Sequence, residues 1–326
     1  MITGVFRKAD VCDTCRSAIR DTKRSEIHMR KWYGSAALLL AAIIWGFAFV
    51  AQSVGMEYVG PFTFQAVRSL IGSAALVPVI WMMDRQRKKK PGYTAPGKEE
   101  RAYLWKVGIA CGVVMCIACC LQQVGILYTT VGKAGFLTSL YLVMVPILGI
   151  FLHNKVPARI WFCVAICLAG VYLLSMTGSF TLAAGDAMIL CCAFFFAIHI
   201  LIIDHFARNV DGVRLSCIQF LVTGILSSIC MFALEKPSLE GLLAAGVTLL
   251  YAGVMSCGGA YTLQIIGQQY TEPTTATLLL SMESVFSMVG GVMLLGQTPS
   301  LRELCGCVLV FSAVVLAQLP GKSENQ

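Results

Sequence analysis

The chain has 326 residues, 57% of them hydrophobic and 13% charged, with a mean hydropathy of +0.76 and a net charge of +8. A soluble domain carries about 25% charged residues, so this composition excludes a water-soluble globular protein. A membrane span takes about 20 apolar residues, and ten spans leave only short loops, none long enough to fold as a soluble catalytic domain.

Residues 1–31 are polar and basic and lack the apolar core and cleavage site of a signal peptide. Met29, followed by Arg30, Lys31 and Trp32, reads as a start just before the first span, which makes residues 1–28 an expected extension of the gene. Cys12 and Cys15 form a C-x-x-C in this tail, half of a zinc site with no second half nearby. The other thirteen of the fifteen cysteines fall in apolar stretches, where they serve as small packing residues.

Apolar stretches follow at 32–54, 62–83, 105–127, 132–153, 157–177, 183–203, 213–234, 241–267, 273–295 and 300–319. Helix breakers separate them: Gly60-Pro61, the basic run from Arg85 to Lys90, Pro157, Asp211-Gly212, Pro237, Pro273 and Pro299. With the N-terminus inside, 21 Lys and Arg lie on the cytoplasmic side, three (Lys133, Lys236 and Arg302) lie outside, and Arg68 is within a span. Positive-inside asymmetry then sets both termini in the cytoplasm. The basic clusters flank spans and carry no recognition module, so no nucleic-acid partner is expected.

The chain repeats itself. LQQVGILYT at 121–129 returns as LQIIGQQYT at 263–271, an offset of 142, and 12 of 37 positions are identical over 121–157. The matches Gln122 with Gln264, Tyr128 with Tyr270 and Pro157 with Pro299 are not effects of shared apolar composition. Upstream the offset is about 150, aligning Trp45 with Phe195 and Arg68 with Gln219. Five spans per half is an odd number, so the second half enters the membrane inverted. Inverted repeats with a midplane site between them are a transporter design. The expected fold is an all-α membrane protein of ten transmembrane helices in two inverted five-helix repeats, residues 32–178 and 183–319, with a short tail at 320–326.

Within this frame, "LLLAAIIWGFAFVAQSVGMEYVGPFTFQAVRSLIG" (38–72) resembles the start of the EamA repeat of the drug/metabolite transporter superfamily. So do "YTTVGKAGFLTSLYLVMVPILG" (128–149) and "GDAMILCCAFFFAIHILI" (185–202), while 281–316 resembles the close of the second repeat. The specific pieces are W-G-x-x-F in the first span, the arginine of the second, and E-x-V-F in the ninth. The family often has Glu where this chain has Gln297, at the membrane edge. The resemblance implies a central cavity and export of amino acids, nucleobase-like metabolites or drugs.

Glu283 lies about ten residues into the ninth span, where inserting a charge costs about 2.5–3.5 kcal/mol or more. It is either a proton-binding carboxylate or counter-ion to a substrate amine, or a protonated acid bonded to a neighbouring helix. Tyr141 is its repeat mate, placed to face it across one cavity or simply to pack. Arg68 either lines a vestibule that attracts anions or snorkels to the headgroups. Trp45, Phe49 and Gln52 share one helical face, as do Tyr261, Gln264 and Gln268. Aromatic and amide faces of this kind suit a polar ligand, and Gln122 joins them as the mate of Gln264; ordinary interhelical bonding is the competing account. His199 reads as a bystander near the cytoplasmic end of its span, and His153, His205 and Asp204 as edge residues. Gly258-Gly259 and Gly290-Gly291 are expected to allow close helix approach or hinge-like flexing.

The sequence therefore predicts a cell-membrane, multi-pass secondary transporter. It would export small amino-acid-like or drug-like metabolites by alternating access, driven by an ion gradient (protons through Glu283 being one candidate), an antiported solute or simple downhill flow. No P-loop, metal site or cofactor is expected, and the oligomeric state is left open. The competing function is a membrane-embedded enzyme acting on lipid, which would need several convergent catalytic groups where this interior holds one acid.

Overall fold

The computed structural model describes residues 10–128, 136–152, 156–175, 184–207, 210–296 and 298–319, with side chains from Met29 onward except those of Arg30, Lys31, Ser175 and Leu295. Lys133, His153 and Gln297, and the side chains of Cys12 and Cys15, lie outside the described residues.

The described chain is helical, with no strand. Eight helices are long and apolar enough to cross a membrane. They are α1 (Asp10–Gly55, apolar from Trp32), α2 (Pro61–Lys88), α3 (Lys98–Ile126), α6 (Ala184–Phe206), α7 (Gly212–Leu234), α8 (Gly246–Gln268), α9 (Pro273–Leu294) and α10 (Leu301–Gln318). Two shorter apolar helices, α4 (Phe136–Phe151) and α5 (Ala158–Ser175), complete the set, and a short helix, Leu239–Ala244, leads into α8.

Local chemistry ends these helices where the breakers stand. Pro61 and Pro273 occupy first-turn positions, where the missing N–H costs nothing. The Asp211 carboxylate accepts from Val213 N and Arg214 N at the start of α7. Ser300 and Glu303 form a reciprocal capping box on α10. Gly296 closes α9 at φ +64°, a left-handed conformation that glycine adopts without penalty. The N-terminus of α2 is capped in trans: the Glu235 carboxylate, just past α7, accepts from Phe62 N and Thr63 N at 2.8 Å and from Thr63 Oγ1 at 2.6 Å. At the other end of the same helix pair, Arg87 meets Asp211 at 2.7 Å and Arg214 pairs with Asp84.

The packing is pseudo-symmetric. The principal helix pairs are α2–α7, α5–α10, α3–α6 with α1–α8, α3–α7 with α2–α8, and α1–α9 with α4–α6. Exchanging each helix with the one five places along maps this set onto itself. Single residues obey the same exchange. Gly34 lies against the Gly267 carbonyl and Gly185 against the Gly125 carbonyl, and the two contacts are repeat mates. A side chain at any of these four positions would force the helices apart, which is why the repeated LQ-x-x-G segments each end on glycine.

The largest apolar core joins α1, α4, α5, α6, α8, α9 and α10, with Leu38, Leu142, Cys167, Ile189 and Leu278 fully buried. Every cysteine whose side chain is described is a free thiol, and most are buried among apolar neighbours. Large apolar side chains such as Trp81, Phe162, Ile229 and Phe311 cover the outside, as a lipid-facing surface requires.

Candidate functional site

Two sequence signatures meet at the centre of this fold. Gly46 follows Trp45 on α1, and it lets α1 approach α9 so closely that a Cβ there would lie 2.4 Å from the Phe286 Cβ. Phe286 ends the E-x-V-F that begins with Glu283. The W-G and E-x-V-F pieces are therefore the two sides of one crossing, and the crossing carries Trp45 and Glu283 into the same space.

That space is a cavity of about 60 Å³, lined from α1, α2, α3, α4, α6, α8 and α9, with room for a few water molecules. Nine of the ten candidates that the sequence singled out line it: Trp45, Phe49, Gln52, Arg68, Gln122, Tyr141, Tyr261, Gln264 and Glu283. Three pairs of repeat mates lie on its wall, namely Gln122 with Gln264, Thr138 with Leu280, and Tyr141 with Glu283. The pseudo-two-fold arrangement thus brings equivalent positions of both halves to one place.

Glu283 is 7% exposed, and Tyr141 Oη donates to its Oε1 at 3.3 Å. Arg68 is 4% exposed and turned inward rather than out to the headgroups, so the snorkelling reading does not hold. Its Nε donates to Gln65 Oε1 at 2.8 Å and its Nη2 to the same oxygen, while Gln65 Nε2 donates to Ser69. Among the described residues neither Arg68 nor Glu283 forms an ion pair, with each other or with any other charged group. The cavity therefore holds one cation and one acid that are not spent on each other.

The aromatic wall centres on Tyr261, whose ring lies tilted 4.5 Å from that of Trp45 and meets Phe220 behind it edge-on, centroids 5.0 Å apart. Gln122 Nε2 donates to Thr138 Oγ1 at 3.3 Å, and Gln52 accepts from Gln123 at 2.6 Å. Two polar atoms on the wall have no protein partner: the Trp45 indole N–H and Gln264 Oε1. A buried polar group without a bond costs about 1–3 kcal/mol, and here one donor and one acceptor are left for whatever enters.

Some residues went differently. Gln268 shares a helical face with Tyr261 but does not line the cavity, and its Nε2 reaches back to Ile200 O at 3.4 Å. His199 is no bystander: it is 1% exposed, lines the cavity and lies 3.0 Å from Gln219 Oε1. Its one signal in the sequence was that of an ionisable group within a span. Thr138 was legible as the residue one turn before Tyr141. Ser256 and Phe196 had no such signal.

A multi-pass membrane protein with a polar cavity enclosed by two repeated halves is a transporter architecture. The chain belongs to the EamA-like transporter family, whose model matches it twice, over residues 32–176 and 183–319. It is 27% identical over 316 residues to an uncharacterized transporter of Archaeoglobus fulgidus, covering 96% of this chain and 94% of the relative. It is 24% identical to the uncharacterized transporter YwfM of Bacillus subtilis, covering 89% of this chain and 96% of that one. A solved crystal structure shares the fold at a TM-score of 0.71 with 20% identity, covering 89% of this chain and 98% of the other.

Proposed function

We propose that the central cavity is the cargo site of a secondary transporter that exports small amino-acid-like or drug-like molecules across the cell membrane. The single observation behind this reading is the convergence of Glu283, Arg68, the Trp45–Tyr261 pair and two unpartnered polar atoms on one buried cavity. In this reading the chain crosses the bilayer ten times as two inverted halves, residues 32–178 and 183–319, with both termini cytoplasmic. The two shorter helices span as well, and the cavity opens to each side in turn.

The chemistry assigns roles. Glu283 receives either the cargo's amine or a proton, with Tyr141 holding its carboxyl in place. Arg68, fixed by Gln65, faces an anionic group. The indole N–H of Trp45 and Gln264 Oε1 take the remaining polar contacts, and the aromatic pair covers the apolar body of the cargo. The cavity, at about 60 Å³, has room for a few water molecules, whereas sites for drug-sized ligands run to about 300–1,000 Å³, so in this reading loading such a cargo requires a wall to move. The energy comes from an ion gradient, a counter-solute or simple downhill flow, since the polar loops are too short for a nucleotide-hydrolysing domain.

The test is a metabolite profile of the medium from cells expressing the wild type beside Glu283→Gln at matched membrane levels. A compound enriched with the wild type and lost with the variant is the expected result, and it names the cargo. Equal enrichment by both would remove Glu283 from the site, and no enrichment by either would count against export. Transport by Glu283→Gln that kept the full pH dependence of the wild type would end the proton-coupling part.

A further inference from the structure

We infer that α8 is the moving wall of the cavity, and that Tyr251–Ala260 is the hinge built into it. The inference rests on the transporter reading for its purpose, but not for its evidence.

Residues Tyr251–Ala260 are wound as a π-helix, bonded i to i+5, between α-helical turns on either side. Runs of π-helix are rare and short, and they gather at functional sites. Ten residues is a long run, and its side chain Ser256 lines the cavity. Immediately after it come Tyr261 and Gln264, on the same wall.

The glycines of this segment divide into two kinds. Gly253 is a packing glycine, since a Cβ there would lie 2.5 Å from Ile71 Cγ2 and 3.0 Å from the Arg68 carbonyl. Gly258 and Gly259 are not. A Cβ on Gly258 would meet nothing closer than 3.5 Å, and one on Gly259 only the Val254 carbonyl at 3.7 Å. Both sites have room for a methyl group. Glycine inside a helix is less favourable than alanine, so two glycines with space around them are explained by backbone freedom rather than by close approach. Of the two readings of this pair, packing and flexing, the geometry favours flexing.

The repeat supplies an internal control. The mates of Gly258 and Gly259 are Cys116 and Ile117 on α3, and the matching stretch of that helix is regular α-helix throughout. The device is present in one half only.

Both ends of the segment are anchored. Tyr251 Oη donates to the Ile44 carbonyl of α1 at 3.1 Å. Beyond α8, Gln269 Nε2 donates to the carbonyls of Ala207 and Val210 at 2.8 and 2.9 Å. Passing from i to i+5 to i to i+4 bonding removes one residue from a turn, a rotation of about 100° in a helix of 3.6 residues per turn. With the ends held, that rotation falls on the residues between, and Tyr261 leaves its contacts with Trp45 and Phe220. A change of winding in α8 therefore reshapes and enlarges the cavity, while α3 stays fixed.

Hydrogen exchange read by mass spectrometry on the full chain in lipid nanodiscs tests this without any cargo. Backbone amides of 252–260 are expected to exchange at least about tenfold faster than those of 110–118 in α3. In Gly258→Ala/Gly259→Ala they slow severalfold, with an unchanged or raised melting temperature. Gly253→Ala is the steric contrast and melts lower. Equal protection of α8 and α3 in the wild type overturns the hinge, and so does a double variant that melts lower or fails to accumulate in membranes, because the space for two methyl groups would then be unreal. Failure of export in the metabolite assay leaves all of these readings intact, so the two ideas fall separately.

Discussion

Gly46→Ala is the substitution whose consequence the structure fixes most tightly. The added methyl would lie 2.4 Å from Phe286 Cβ, 2.7 Å from Phe286 C and 2.8 Å from Ser287 N. Carbon atoms in contact sit about 3.5–4.0 Å apart, and two of these neighbours are backbone that no rotamer change can move. The α1–α9 crossing must widen by roughly 1 Å, and overpacking of this kind costs about 1–3 kcal/mol. At roughly 2–4 °C per kcal/mol for a chain of moderate size, the melting temperature should fall by several degrees. The assay is a thermal melt in detergent and in nanodiscs beside Gly290→Ala, on the same helix pair. There the nearest atom is the edge of the Phe47 ring at 3.3 Å, which can turn aside, so Gly290→Ala should cost little. Because Trp45 and Glu283 flank the strained crossing, Gly46→Ala should also depress transport more than its stability loss explains. A Gly46→Ala protein that melts like the wild type, or loses less than Gly290→Ala, would refute the close crossing.

Other outcomes follow from the same geometry. Glu235→Ala removes the trans cap of α2 and should cost about 0.5–2 kcal/mol, with faster exchange at the Phe62 and Thr63 amides and none of the loss at α7's own Asp211 cap. Reversing Asp84 or Arg214 alone should destabilise by about 0.2–1 kcal/mol, since the pair is part-exposed, and the charge-swapped double variant should recover most of it in low salt. Gln264→Met removes an acceptor that no protein group satisfies. Its melting temperature should hold or rise, while the KM for the exported compound should rise about tenfold, the worth of one good hydrogen bond. Tyr141→Phe deletes one long hydrogen bond to Glu283 and should leave the melt within about 1 kcal/mol while slowing transport.

Much of this protein is legible in its sequence because the bilayer imposes simple rules. Continuous apolar stretches become helices, since no other structure satisfies the backbone without water, and Pro61, Asp211, Pro273 and the Ser300–Glu303 box end them where expected. The 142-residue offset carried more than architecture. It paired Tyr141 with Glu283 and Gln122 with Gln264, and a two-fold arrangement brings paired positions near its axis to one place. Ionisable and amide groups in mid-span are costly, so their presence marked a polar interior before any coordinate was known.

What the tertiary structure decided is which face of each helix looks inward and how closely helices meet. Arg68 could have reached the headgroups by length alone, but its side chain is committed to Gln65 and the cavity. His199 and Gln268 exchanged their expected places, because a shared helical face becomes a shared wall only if the neighbouring helix stands where the wall needs it. The π-winding of α8 left no periodic trace in the sequence, as its i to i+5 bonds follow from packing at both ends rather than from local propensity. The same holds for the glycines: Gly46, Gly253 and Gly259 are alike in sequence, and only their neighbours separate the one that admits a helix, the one that packs and the one that bends.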